Sequence, residues 1–171
     1  QAAATFRDQV YRLYMEFFEV AERKRRWSVF DDIPWDKLDP ATIDERTATC
    51  VETFCGVELY VPDYTVHGLL INRDTFGFAW FFANWGYEES KHALVLREYL
   101  LRSGLRTEEQ QAHFERDIFA KVWTPPFTTR RRMNVYGALQ EAATYLIYKA
   151  ERERAERAGD AVLERILFYV S

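Results

Sequence analysis

Glu89 and His92 are the residues of this sequence best suited to chemistry, because a carboxylate and an imidazole three positions apart share one face of a helix. Such a pair can bind iron or manganese, which accept carboxylate oxygen and imidazole nitrogen as ligands. Apolar and small residues surround the pair at three- and four-residue steps: Ala79, Phe82, Gly86, Ala93, Leu96 and Leu100. An ionisable pair on this core-facing stripe is costly to bury, and a bound metal would compensate it.

Two further carboxylates, Glu58 and Glu141, lie on similar stripes of neighbouring helical segments. Glu58 shares its face with Val51, Cys55, Pro62, Thr65 and Leu69, and Glu141 shares its face with Asn134, Ala138, Tyr145 and Tyr148. Four-helix bundles that bind two metals use single glutamates from two helices and Glu-x-x-His from the other two. The three segments therefore supply a single ligand, a pair and a single ligand. Each motif alone also fits a hydrogen-bonded structural carboxylate, and periodicity leaves both readings open.

The elements that must position these residues are long helices with short breaks. The chain has 171 residues, 48% of them hydrophobic, with only 7 glycines and 5 prolines, which favours one mainly helical domain. The patterns predict helices over 5–27, 41–72 with a break near Pro62, 76–101, 107–122, 128–157 and 161–171. Asp74 or Thr75 is the expected cap of the third helix. The predicted fold is an all-α antiparallel bundle.

Charge, hydropathy and cysteine usage exclude several classes of protein. The net charge of −4 gives no reason to expect nucleic acid as a partner. The longest uncharged stretch, 75–87, is 13 residues long and falls short of the roughly 20 that a membrane-spanning helix needs, so we expect a soluble, cytoplasmic protein. Cys50 and Cys55 point in different directions on one predicted helix, and we expect both to be reduced.

Four motifs together resemble the soluble acyl-acyl-carrier-protein desaturases, a ferritin-like di-iron family. The motifs are Trp27-x-x-x-Asp31-x-x-Pro34, Glu58 followed by Pro62 and Tyr64, the helix Trp85 to His92 continuing to Tyr99-Leu100 and Ser103-Gly104, and Gln140-Glu141 with Thr144. The resemblance covers nearly the whole chain. It implies a ferritin-like four-helix-bundle core with extra helices.

The resemblance also implies roles for individual residues. The iron ligands would be Glu58, Glu89, His92 and Glu141, holding part of a centre of two Fe ions with O2 as co-substrate. Thr144 would be a catalytic residue that assists proton delivery beside the oxygen-binding face. Trp27 and His92 would belong to a route that carries electrons from the surface to the iron.

By the same resemblance, the reaction would introduce a cis double bond into an acyl chain on acyl carrier protein or coenzyme A. A ferredoxin-type donor would supply electrons, and the protein would be a homodimer. The clusters Arg23–Arg26 and Arg130, Arg131 and Arg132 could dock the acidic carrier, although solvated surface charge is the simpler reading. We expect His67 and His113 not to be ligands.

One part of the family pattern is missing from the sequence. The fourth motif, Asp-Glu-x-x-His, would begin within a few residues of Ser171, and with it would come two ligands and the closing helix. We therefore expect residues 1–171 to be a single ferritin-like desaturase-type domain that is C-terminally incomplete, from a longer gene product. The alternatives are a related di-iron oxygenase or hydroxylase of a biosynthetic pathway, or a metal-free fragment or degenerate paralogue.

Overall fold

Helices form nearly all the regular structure of residues 5–171, the part of the chain that the computed structural model describes. The α-helices are α1 Phe6–Val20, α2 Glu45–Glu58, α3 Val61–Asn72, α4 Phe76–Arg102, α5 Glu108–Phe119, α6 Arg130–Ala158 and α7 Ala161–Val170. A π-helical turn, Ala21–Arg25, extends α1, and short 3-10 turns cover Trp35–Lys37 and Pro40–Thr42. These residues contain no β-strand, which confirms the all-α class.

Helix ends follow from local hydrogen bonding, and two of them correct the sequence prediction. The α-helical part of the first helix ends at Val20, before the π turn, and Trp27 lies beyond it. The second predicted helix begins at Glu45 and not at 41, after a 3-10 turn at Pro40–Thr42. Its predicted break near Pro62 is confirmed and falls at 59–60. Proline is tolerated in the first turn of a helix, where its missing N–H would lack a partner, so Pro62 opens α3 and does not interrupt it.

Capping side chains begin several helices, whereas the predicted N-cap of α4, Thr75, is in place without a capping hydrogen bond. Thr107 forms the predicted capping box with Gln110 at the start of α5. Thr75 occupies the N-cap position of α4, but its hydroxyl makes no capping bond. It donates to Asp74 and accepts a hydrogen bond from Arg130 of α6 at 2.9 Å. A long-range contact therefore replaces the local cap.

α4 lies at the centre of the helical packing and contacts α1, α2, α3 and α7. Leu96 and Leu100, on the predicted core stripe, are fully buried. They pack in a core with Val51 and Cys55 of α2, Tyr148 and Ala155 of α6, and Val162, Leu163, Ile166 and Leu167 of α7. Burial of this apolar surface is the main stabilising contribution to the bundle, at about 25 cal/mol per Å².

The inward stripe predicted for α6 is buried only in part, which corrects the sequence interpretation. Tyr148 is buried, whereas Ala138, Glu141 and Tyr145 are exposed. The short helix α7 runs back along α6 after a left-handed turn at Gly159 (φ 80°), and its ten residues span only about 15 Å. The N-terminal half of α6 is therefore left open among the described residues.

Residues 5–171 also bear on the expectations for membrane-spanning helices and for the two cysteines. No helix there is both long enough and apolar enough to cross a membrane. Cys50 and Cys55 are both free thiols, as expected, and burial raises the pKa of the Cys55 thiol to about 12.

Candidate metal centre

Three of the four predicted ligands come together between α2 and α4. The ligand atoms of Glu58, Glu89 and His92 all lie within 4.8 Å of one another. His92 Nδ1 is 3.1 Å from Oε2 of Glu89 and 3.6 Å from Oε2 of Glu58. The Glu89 and His92 side chains are only 13% and 12% exposed, and Glu58 is buried. α4 positions the pair one helical turn apart, and α2 ends at Glu58, opposite the pair.

The imidazole of His92 is the positive partner of this cluster. Burial works against its charged form, but hydrogen bonds with the carboxylates of Glu58 and Glu89 outweigh burial and raise the pKa of His92 to about 10. His92 therefore carries a proton at neutral pH. In this state the protonated imidazole supplies the positive charge that a bound metal ion would otherwise supply.

Glu141 lies close enough to influence the cluster but is not part of the close group of three. Partial burial of the carboxyl group, followed by the charges of Glu89 and Glu58, raises the pKa of Glu141 to about 7, although the residue as a whole is exposed on the open face of α6. A carboxyl group with this pKa is near half-protonation at neutral pH. A cation placed beside it would favour the charged form.

Tyr148 of α6 completes the surroundings of Glu58. Its hydroxyl donates a hydrogen bond of 2.5 Å to Oε1 of Glu58, and its ring packs on Phe54 with centroids 4.5 Å apart. Burial and the neighbouring Glu58 carboxylate raise the pKa of the Tyr148 phenol. The phenol is therefore a hydrogen-bond donor, and it links α6 to Glu58 on α2.

The donor atoms of Glu58, Glu89 and His92 are of the types that bind a divalent transition metal. Two carboxyl groups and one imidazole meet in a largely buried space, a donor set of oxygen and nitrogen that suits iron or manganese. Release of the His92 proton would free Nδ1 to coordinate, and the ion would then compensate the carboxylates. Glu58, Glu89 and His92 are the residues that would hold it, with Glu141 adjacent.

The pKa of His92 predicts how the stability of the metal-free chain depends on pH. The folded pKa of about 10 lies above the unfolded value of about 6.5, so the stabilisation is complete below pH 6.5 and is lost as pH rises toward 10. We expect the free energy of unfolding to fall by about 1 kcal/mol per pH unit between pH 7 and 9. Urea unfolding with a chelator present measures it.

His113 provides the matched control for this experiment, because it is exposed and pairs only with Asp117 in its own helix. The H113Q variant should keep the pH dependence, and the H92Q variant should lose it. Equal slopes for H92Q and the unsubstituted chain would contradict the assignment.

Trp27 contacts Lys91, the residue before His92 in α4. The Lys91 ammonium lies 4.8 Å from the centre of the Trp27 ring and donates a hydrogen bond of 3.1 Å to the Trp27 carbonyl oxygen. On its other side the indole stacks on Tyr169 at the end of α7, with centroids 5.0 Å apart. Trp27 is thus buried beside the predicted ligand helix, and its role in electron transfer stays a prediction.

The remaining predicted site residues lie outside the close cluster. Thr144 is partly exposed, about one turn along α6 from Glu141. Arg131 and Arg132 are exposed, whereas Arg130 is bound to the α3–α4 junction through Ile71, Asp74 and Thr75. His67 lies beside Trp123, and His113 is on the surface, so neither belongs to the cluster of Glu58, Glu89 and His92.

Sequence reasoning assigned no role to Tyr148, which contacts Glu58, or to Lys91, which contacts Trp27. Tyr148 was visible on the same face as Glu141, seven residues along α6, and that spacing was its only signal. Its pairing with Glu58 joins residues 90 positions apart, which periodicity within one helix cannot reveal. Lys91 would be read as a surface residue from its type, yet it is buried between the rings of Trp27 and Tyr87.

Comparison with known proteins identifies one family. A family model described as fatty acid desaturase matches residues 65–171, which include Glu89, His92, Glu141 and Thr144. No curated protein and no solved structure gives a match.

Proposed function

The chain belongs to the fatty acid desaturase family, and on that premise we propose that it forms part of a di-iron, O2-dependent acyl desaturase of the acyl-acyl-carrier-protein type. Members of the family are oxidoreductases that generally use iron and O2. The proposal adds the finer points: two irons, a saturated acyl chain on a carrier protein or coenzyme A as substrate, and a cis double bond as product. It also treats residues 1–171 as one desaturase-type domain.

The convergence of Glu58, Glu89 and His92 is the observation that carries this proposal. These side chains come from two helices and are largely withdrawn from water, and their ligand atoms lie within 4.8 Å of one another. If these side chains had only a structural role, the ion pair between His92 and Glu89 would be sufficient. A ligand role also explains why a third carboxylate, Glu141, lies near enough to Glu89 and Glu58 for their charges to add to the effect of burial on its pKa.

The chemistry divides between the metal and the residues of the chain. Removing hydrogen from an unactivated methylene is beyond side-chain acid–base chemistry, and iron with O2 supplies the oxidising power. The chain supplies the ligands Glu58, Glu89, His92 and Glu141. Thr144 is proposed to deliver a proton from its hydroxyl, which lies on α6 near Glu141 and on the side that solvent can reach.

The proposed partners are an acyl carrier protein, a ferredoxin-type electron donor and a second copy of the chain. The proposed electron route runs through Trp27 and His92, and Trp27 contacts the buried Lys91, the residue before His92. For carrier docking, Arg131 and Arg132 are the better candidates, because Arg130 is committed to Asp74, Thr75 and Ile71.

Reversing the charge of Arg131 and Arg132 should raise the apparent KM for the carrier-bound substrate by about tenfold, because an acidic carrier would lose two favourable charges and meet two unfavourable ones. Steady-state kinetics of R131E/R132E measures this, and iron content should not change. The double variant K149E/R157E changes the same charge at exposed positions farther along α6 and is the control. Equal KM values for both variants would remove this cluster from the docking proposal.

Product analysis with isotopically labelled acyl carrier substrate tests the reaction itself. The whole protein, loaded with iron and given reductant and O2, should form a cis-monounsaturated acyl chain. A hydroxylated product would instead identify the related oxygenase. Absence of both iron uptake and product would identify a metal-free paralogue.

A further inference from the structure

We propose that Tyr148 is a positioning residue that fixes the orientation of the Glu58 carboxylate, holding Oε1 by a hydrogen bond and leaving Oε2 to face the metal position. The inference rests on the proposed metal centre and adds a residue to it. It assigns α6 a second link to the site besides Glu141.

The two oxygens of Glu58 have different partners. Oε1 accepts the Tyr148 hydroxyl at 2.5 Å, and Oε2 points toward Nδ1 of His92 at 3.6 Å. A carboxylate has a broad, roughly twofold torsion at its last bond, so without a second partner its oxygens would exchange or tilt. The hydrogen bond from the phenol removes that freedom.

The phenol is itself held in place. Tyr148 is 2% exposed, and its ring packs on Phe54 at 4.5 Å, in the core between α2 and α6. Water therefore competes poorly for the hydrogen bond, and a neutral donor to a charged acceptor makes a strong one under these conditions. Neighbours that orient ligands in this way commonly contribute 10- to 100-fold to metal affinity.

The Y148F variant tests the inference, because phenylalanine keeps the ring and its packing on Phe54 while removing only the hydroxyl. Co²⁺ is the probe, since its visible absorption spectrum reports the number and geometry of its ligands. We expect Y148F to bind Co²⁺ about 10- to 100-fold more weakly, with a changed spectrum when saturated. The matched control is Y145F on the same helix, where Tyr145 is 49% exposed.

A role confined to packing would not change the spectrum of the bound ion, so the spectrum separates positioning from stability. Urea unfolding of Y148F without metal identifies any loss of fold. Co²⁺ binding and spectra equal to those of Y145F and the unsubstituted chain would overturn the inference while leaving the metal centre intact. Failure of the unsubstituted chain to bind Co²⁺ would overturn both.

Discussion

Replacing Glu89 with glutamine should reduce the affinity of the chain for Fe²⁺ by at least about 100-fold, beyond the range caused by residues that only orient ligands. Glutamine has nearly the same shape but loses the negative charge. Glu89 is only 13% exposed and lies 3.1 Å from His92 Nδ1, so no solvent-exposed carboxylate can replace it. Anaerobic equilibrium titration with Fe²⁺ measures the affinity.

Glu98 on the same helix offers a matched control for E89Q. Its carboxylate pairs with Arg102 at 2.8 Å on the surface, where an ion pair contributes little to stability. The E98Q variant should bind Fe²⁺ as the unsubstituted chain does. If E89Q and E98Q bind Fe²⁺ equally well, Glu89 is not a ligand.

Replacing Leu96 with alanine should lower the free energy of unfolding by about 2–5 kcal/mol, the usual cost of a large-to-small change in a packed core. Leu96 is fully buried in the core that α2, α4, α6 and α7 share. Because the same helix carries Glu89 and His92, the L96A variant should also loosen the metal centre. Chemical denaturation measures the free energy.

Leu94 tests whether burial causes the expected loss of stability in L96A, because it is also a leucine, two positions earlier, but is 54% exposed. The L94A variant should change the free energy of unfolding by no more than about 0.5 kcal/mol. A similar loss for L94A and L96A would contradict the packing described for α4.

The sequence predicts the inward faces of α2 and α4 well, because a carboxylate on an apolar stripe is a strong departure from amphipathic patterning. Periodicity predicts that Glu58, Glu89 and His92 lie on inward faces, and the structure brings their side chains together. The same periodicity predicts that Glu141 is buried, but in the structure it is exposed. Periodicity reports which residues share a face, but not whether another helix covers that face.

Contacts between distant helices account for the other differences. Thr75 has the sequence features of a cap, yet its hydroxyl accepts a hydrogen bond from Arg130, 55 residues away. Lysine is usually a surface residue, but the ammonium of Lys91 lies over the rings of Trp27 and Tyr87. In both cases a tertiary partner determines the role of the side chain, and the sequence around the residue does not contain that partner.

The most direct test of the metal centre is a crystal of the protein equilibrated with Fe²⁺ and examined at the iron absorption edge. We predict an anomalous-scattering peak about 2.0–2.2 Å from His92 Nδ1 and from carboxylate oxygens of Glu58 and Glu89, distances usual for bonds from these donors to a transition metal. A fully loaded crystal with no peak among these three side chains would contradict the account.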